Sequence, residues 1–528
     1  MAEQDLQVTF GSVTFDPRQA QPDLGSDNEP DPGRERVLSW FVQFGRPLTA
    51  TDIAHLRDSF GLGLTEFVPA ASYLERISTA TAAHLLDQPV VRAVARLTGP
   101  MKLSPDVESR DDNAPPQRLN VVLFPDIDPA QVARQLSRPG APEVAVLDHR
   151  KQGGWLTLQL DVAGKDLDQI TAIDGVRWVE PVPVIVDDED TAAAPKTRFT
   201  PASQQTMFKR LWDAGLTGVG QIVGMLDNGP ADLRHCFFSD AGTNPGPAHR
   251  KVVALRNATG QAPGPHATFV AGCAAGDQQD APGQSPSRGG AWSARLVVGN
   301  RMDMAVFGNP SPATASTLLA ELTAAAAAGA RVHSNSWHVR QPAGRIHAAY
   351  DLTAAEADTF TWNNQDHLVV ASSGNLNEQQ GSPGIAKNVL CVSAATDDGP
   401  GTHLGDGAPG PTADARRKPD LMSVGCGITS AIVNTRCDVG PRSACASSYA
   451  TPLVAAAATL ARQALVEGRL LAADPDGTAA RPGPSGSLLR ALLVHACEPT
   501  TGMDAYPSDT TGWGLLQLQR LLLPEVSD

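Results

Sequence analysis

The chain carries no cysteine before Cys236, and the seven that follow (Cys236, Cys273, Cys391, Cys426, Cys437, Cys445 and Cys497) include no CxxC pair. Without ligand spacing a metal site is not expected. The count is odd, so at least one thiol stays free in a monomer. The pattern reads as small apolar fillers of a reduced core, with a Cys437–Cys445 bridge open but without support. Basic charge is also in deficit: 42 Lys and Arg face 57 Asp and Glu, a net charge of −15, with no Lys/Arg cluster. A nucleic-acid partner is therefore not expected. The first residues, MAEQDLQVTFGSVTFDPRQAQPD, lack the basic and apolar regions of a secretory signal. The most apolar run, Leu453 to Leu465, is too short to span a bilayer. The expectation is a cytoplasmic protein without a membrane partner.

What is present fits a soluble chain of several domains: 528 residues, 41% hydrophobic and 19% charged. Residues 1–35 are rich in Asp, Pro and Gly and read as a disordered leader. Two similar segments follow. The first, 36–103, runs through VLSWFVQF, TDIAHLRDSF, SYLERI and PVVRAVARL; the second, 117–186, through LNVVLF, PAQVARQL, WLTLQLD and DQITAIDGVRWVEPV. Each alternates strand and helix patterns as β-α-β-α-β, a small ferredoxin-like α+β unit. Residues 187–204 open on Asp187-Asp188-Glu189-Asp190 and read as a solvated linker that a protease could reach.

From about residue 205 the pattern becomes α/β. QIVGMLD, KVVAL, RLVVGN, RVHSNSW, LVVASSGN and VLCVSAAT read as strands buried on both faces, with helices such as ATFVAGCAAG and TASTLLAELTAAAAAG between them. Such alternation predicts a parallel sheet covered by helices, with functional residues just past the C-terminal ends of strands. Asp227, Ser336 and Asn375 fall at such ends. GLTGVG (215–220) is a poor nucleotide loop because its glycines precede the strand.

Nucleophilic catalysis by serine needs a base, a carboxylate to orient the base, and donors for the oxyanion. Taken singly, Asp227 in VGMLDNG reads as a turn residue, His266 in GPHATFVAG as one of twelve histidines, and Asn375 in VVASSGN as a strand terminator. Ser448, in ASSYATPLVAA ahead of an alanine-rich helix, reads as a cap. Together, and in this order, LDNG, HATFVAG, SSGN and ASSYATPLVAA resemble the Asp, His, oxyanion and Ser motifs of the subtilases, the subtilisin-like serine proteases. The resemblance runs from about 205 to 521, and the expected catalytic domain spans 205–523.

The resemblance implies a subtilisin-like parallel sheet and a serine endopeptidase. Ser448 would be the nucleophile, His266 the general base and acid, and Asp227 the residue that orients it. The Asn375 amide and the Ser448 N–H would form the oxyanion hole. HSNSW resembles the strand that pairs with substrate, so Ser336 and Trp337 would contact the extended polypeptide, with a core role for Trp337 as the alternative. Residues 371–374, Ser373 and Gly374 among them, would border the pocket for the residue before the scissile bond. The second N-terminal unit resembles subtilase propeptides. That implies a zymogen inhibited by its own N-terminal region, and loop exposure puts the expected cut within about 184–200. No cofactor is implied as necessary. Calcium is common in the family, but no carboxylate cluster here has ligand spacing. Ala267, Ala446, Phe269, Asn228 and Tyr449 depart from the motifs without removing a triad group. A peptide-binding scaffold of the same fold, catalytically weak or inactive, is the competing reading; it would have no use for the base. An esterase would need a G-x-S-x-G elbow and another residue order.

Overall fold

The computed structural model describes residues 6–11, 13–20, 37–107, 116–136, 145–152, 155–182, 184–187, 201–257, 261–285, 287–301, 316–340, 349–375, 380–395, 407–441, 445–469, 483–500 and 506–521. The chain divides into two compact units, Met1–Val182 and Pro183–Asp528.

The first unit opens with a hairpin of β1 (Val8–Phe10) and β2 (Val13–Phe15). It lies inside the leader read as disordered. Its aromatic residues hold it in place: Phe10 and Phe15 meet Phe41 edge-on at 5.1 and 5.4 Å. Residues 21–35 of that leader lie outside the described residues. Next come β3 (Val37–Phe44), α1 (Ala50–Phe60), β4 (Phe67–Val68), β5 (Ser72–Ser78), α2 (Thr79–Leu85) and β6 (Val91–Arg96). They are followed by β7 (Gln117–Leu123), α3 (Pro129–Leu136), β8 (Ala145–Gln152), β9 (Trp155–Val162), α4 (Leu167–Thr171) and β10 (Val176–Pro181). The sheets are ordered β4-β5-β3-β6 and β10-β7-β9-β8, and every pairing is antiparallel. Each half is thus β-α-β-β-α-β, one strand more than the sequence pattern showed. The extra strands are inconspicuous: β4 has two residues, and β8 (AVLDHRKQ) is too polar to alternate.

The second unit begins with β11 (Val184–Asp187) and α5 (Pro201–Asp213). Its strands are β12 (Ile222–Asp227), β13 (Val252–Arg256), β14 (Arg295–Asn300), β15 (Val332–Asn335), β16 (Trp337–Arg340), β17 (Leu368–Ser372), β18 (Leu390–Ala395), β19 (Leu421–Val424), β20 (Thr429–Ala431), β21 (Val439–Pro441), β22 (Cys497–Glu498) and β23 (Leu515–Leu516). Its remaining helices are α6 (Pro265–Ala275), α7 (Leu318–Ala327), α8 (Leu352–Asn363), α9 (Ser447–Val466) and α10 (Gly486–His495). Nine strands form one sheet, β13-β14-β12-β15-β17-β18-β19-β23-β22, parallel apart from its last pair. Residues of α6, α9 and α10 share one apolar cluster with one face of the sheet; those of α7 and α8 share another with Trp337, Val369 and Ala371. This is the doubly covered parallel sheet that the unbroken apolar strands call for.

Two bridges replace the reduced-core reading of the cysteines. Cys236 joins Cys437 and Cys426 joins Cys445, while Cys273, Cys391 and Cys497 are free and buried. Cys445 therefore pairs with Cys426 and not with Cys437. The pairing is set by sheet topology, which returns β19 beside the entrance to α9 (Ala446 N–H to the Gly425 carbonyl, 3.0 Å); sequence proximity does not carry that information.

A buried cation closes the C-terminus of α6. Lys251 Nζ donates to the carbonyls of Ala275 (2.7 Å), Ala294 (3.1 Å) and Trp292, and burial pushes its pKa down to about 7. A helix end leaves carbonyls without intrahelical donors, and an ammonium also suits the negative end of the dipole. Lys251→Met should therefore lower stability by about 2–5 kcal/mol, as three buried acceptors lose a donor at once. The folded pKa lies below the ordinary lysine value, so between about pH 7 and 10 the unfolded chain binds more protons. Wild-type stability should accordingly rise with pH across that window, and denaturation midpoints of Lys251→Met should lack that component.

Candidate active site

Three adjacent strands deliver the first groups. In the parallel register Met225 pairs with Ser334 and Asn335 with Ala371, so β12, β15 and β17 end level with one another. Asp227, Ser336 and Asn375 stand at or just past those ends. His266 comes from the first turn of α6, directly after Pro265, which is tolerated there because its missing N–H has no helical partner to lose. Its Nδ1 lies 2.9 Å from Asp227 Oδ1, with the side chains 1% and 4% exposed. The same carboxylate oxygen accepts the Asn228 N–H at 2.8 Å. In so dry a setting the carboxylate favours the tautomer that donates from Nδ1 and leaves Nε2 as the basic nitrogen.

The two loops bearing this pair touch backbone to backbone. A Cβ on Gly264 would lie 1.9 Å from the Asn228 carbonyl oxygen, so glycine is required there. Gly229, at φ +83°, donates its N–H to Asn300 Oδ1 at 3.0 Å, which pins the turn after Asp227 to the end of β14.

Ser448 is the second residue of α9, at the positive end of the helix dipole. Pro452 sits four residues on and has no N–H to give the Ser448 carbonyl. Ser336 supplies a donor instead: its Oγ bonds that carbonyl at 2.9 Å. Asn375 is tied to the same turn, its Oδ1 accepting from the Ser447 N–H (2.8 Å) and the Ser447 Oγ (3.0 Å). Those bonds hold the carboxamide oxygen on the Ser447 side and so place the Nδ2 donors at the group's other end. Ser447 thus orients the amide.

The departures from the motifs fit one another. Phe269 and Tyr449 pack at 5.0 Å between ring centroids, and the Tyr449 ring lies 6.3 Å from that of His266. Ala446 has φ −149°, an extended conformation open to any residue, so its methyl costs no backbone strain. The hairpin β20–β21 braces α6 through the Ser430 Oγ bond to the Phe269 carbonyl (2.8 Å). The two disulfides fasten that hairpin to the loop after β12 and to the entrance of α9.

The family profile described as the Subtilase family (peptidase S8) matches residues 218–514, more than half of the chain. The chain belongs to the subtilase family. Among curated relatives it resembles two proteins of Dictyostelium discoideum, the serine protease/ABC transporter B family proteins tagA and tagD. It is 30% identical to tagA over 211 residues (38% of this chain, 11% of the relative) and 27% identical to tagD over 435 residues (60% and 23%). The chain thus spans less than a quarter of the length of either. Among solved structures it resembles fervidolysin from Fervidobacterium pennivorans, a keratinolytic enzyme related to subtilisin. The identity is 16%, the TM-score 0.50, and the match covers 79% of this chain and 64% of that one. The prenylagaramide maturation protease PagA matches at 21% identity and a TM-score of 0.44, over 60% of this chain and 98% of that one. The fold is subtilisin-like.

Among the described residues no three His, Cys, Asp or Glu side chains come together to hold a metal. No described helix is long and apolar enough to cross a membrane. Ser373 and Gly374 directly precede Asn375, and Gly374, at φ +94°, holds the left-handed turn that leads out of β17. The Trp337 side chain is fully buried and donates to the Leu226 carbonyl at 2.9 Å, so only its backbone faces an added strand. One residue escaped the sequence reading. His338, next along β16, lies against Gly374, and nothing in the four motifs points to it.

Two changes test how this subtilase site is braced. Ser336→Ala removes the donor to the Ser448 carbonyl and should lower stability by about 1–3 kcal/mol, read from thermal or denaturant unfolding. Ser447→Ala removes the hydroxyl bond to Asn375 Oδ1 and keeps the backbone one. Ser447→Thr keeps the hydroxyl and should restore whatever peptide hydrolysis the alanine loses.

Proposed function

We propose that this subtilase is a serine endopeptidase working through Asp227, His266 and Ser448. The observation that carries the reading is the buried 2.9 Å bond between Asp227 and His266, with Ser448 at the start of a neighbouring buried helix. His266 Nε2 takes the Ser448 proton as Oγ attacks the scissile carbonyl carbon, and Asp227 stabilises the imidazolium that forms. The Asn375 amide and the Ser448 N–H receive the oxyanion. His266 then protonates the leaving amine, and water, deprotonated by the same nitrogen, hydrolyses the acyl-enzyme.

We further propose that the chain is made as a zymogen. β11 pairs antiparallel with β16, Val184 opposite Arg340 through Asp187 opposite Trp337, on the strand that would bind substrate. An extended segment added to an exposed strand is the ordinary way a peptide is held there. The segment between the units would then act as an intramolecular competitor, with its cut falling after Asp187 and before Thr200. The two disulfides favour an oxidising compartment over the cytoplasm for the mature protein.

Intact mass and N-terminal sequencing of wild type beside Ser448→Ala test both proposals. Loss of an N-terminal fragment from wild type alone supports them, whereas equal cutting of both assigns the processing to another protease. A fluorophosphonate should label Ser448 in wild type; a wild-type protein that never labels would sink the hydrolase reading. Asp227→Asn should reduce kcat by about 10⁴-fold. Asn375→Ala should reduce it by about 10²–10³-fold, the magnitude for one oxyanion donor, of which subtilisin is itself the type case.

A further inference from the structure

Strand β16 turns alternate side chains to opposite faces. Trp337 and Val339 enter one core cluster, which leaves His338 on the other side. Its imidazole is almost wholly buried and stands between two glycines. A methyl placed on Gly374 would lie 3.6 Å from its Nδ1, and one on Gly381 would lie 3.2 Å from its Cδ2. The surrounding backbone is fixed: the Ala408 N–H bonds the Gly374 carbonyl at 2.8 Å, the Val339 N–H bonds the Ser382 carbonyl at 2.8 Å, and Gln380 Nε2 bonds the Ala408 carbonyl at 3.0 Å. Gly374 is joined to Asn375, so the ring sits beside the segment expected to border the pocket for the residue before the scissile bond.

The register adds a second, independent observation. In β11 Val186 lies opposite His338 and Asp187 opposite Trp337, so this strand runs toward Ser336, whose hydroxyl bonds the Ser448 carbonyl. In the sequence, β11 is followed directly by Asp188-Glu189-Asp190. A run of acidic residues thus directly follows, in sequence, the strand that pairs with His338.

We propose that His338 is a specificity-determining residue that selects an acidic side chain immediately before the scissile bond, with the chain's own acidic linker as its intramolecular substrate. This rests on the endopeptidase reading above. An imidazole N–H can donate to a carboxylate in either protonation state of the ring, and the imidazolium adds charge. The ring also occupies the space between the two glycines, which shortens the pocket against large apolar or basic side chains.

The test uses the full chain after its own processing and a series of fluorogenic peptides that differ only in the residue before the scissile bond: Asp, Glu, Ala, Leu and Lys. Wild type should cut Asp and Glu with kcat/KM at least about tenfold above Leu and Lys. His338→Gly should lose that preference and gain on Leu, and His338→Gln, which keeps an N–H donor, should fall between. The mass of the released N-terminal fragment should place its new C-terminus at an acidic residue of 187–190. A wild type that labels with fluorophosphonate at Ser448 yet prefers Leu, Lys or Ala overturns the specificity proposal and leaves the hydrolase reading standing. Acid preference unchanged in His338→Gly overturns the role of His338 alone. A wild type that does not label takes both proposals down together.

Discussion

Helix α9 is buried along nearly its whole length, and most of the second unit is arranged around that constraint. Its alanines let the helix lie close against β15, β17, β18 and β19, where larger side chains would hold it off. A helix sunk this deep must have its polar end satisfied by protein groups, because water cannot reach it. The Asn375 carboxamide and the Ser336 hydroxyl do this at its first turn, and both come from the C-terminal ends of sheet strands. One packing requirement therefore sets Ser448, Asn375 and Ser336 in fixed relation.

The same dryness governs the charges. Asp227 is tolerated at the end of an apolar strand because His266 and the Asn228 N–H meet its oxygen. Lys251 is tolerated because three carbonyls converge on it. Glu356 accepts from the backbone of Leu318 and Leu319 at the start of α7, while burial pushes its pKa up to about 8. Each group sits where a helix or strand end leaves donors or acceptors unmatched. Few of these ionisable residues can be exchanged without leaving a backbone group stranded.

Under the proposed function, the strand-adding edge at β16 would link the second unit to its polypeptide substrate. Its backbone pairs with β11, one of its faces is core, and its other face carries His338 toward the glycines beside Asn375. Binding and selection would thus arise from the same four residues, the main chain supplying affinity and one side chain supplying discrimination. A small change at such a position can redirect specificity while the triad stays untouched.

Much of this was legible in the linear chain. The apolar strands and the four short motifs already put Asp227 and Asn375 at or just past strand ends and His266 and Ser448 at helix starts, because strand and helix ends carry local signals. The two ferredoxin-like units showed for the same reason, apart from the two-residue β4 and the polar β8, whose pairing depends on neighbours more than on their own pattern. The disulfide partners, the Ser447 bond to Asn375, the Lys251 cap and the position of His338 were not legible. Each joins residues far apart in sequence through contacts that exist only once the sheet has assembled. Periodicity and local motifs report what a segment does with its own backbone; which distant groups meet is decided by tertiary packing.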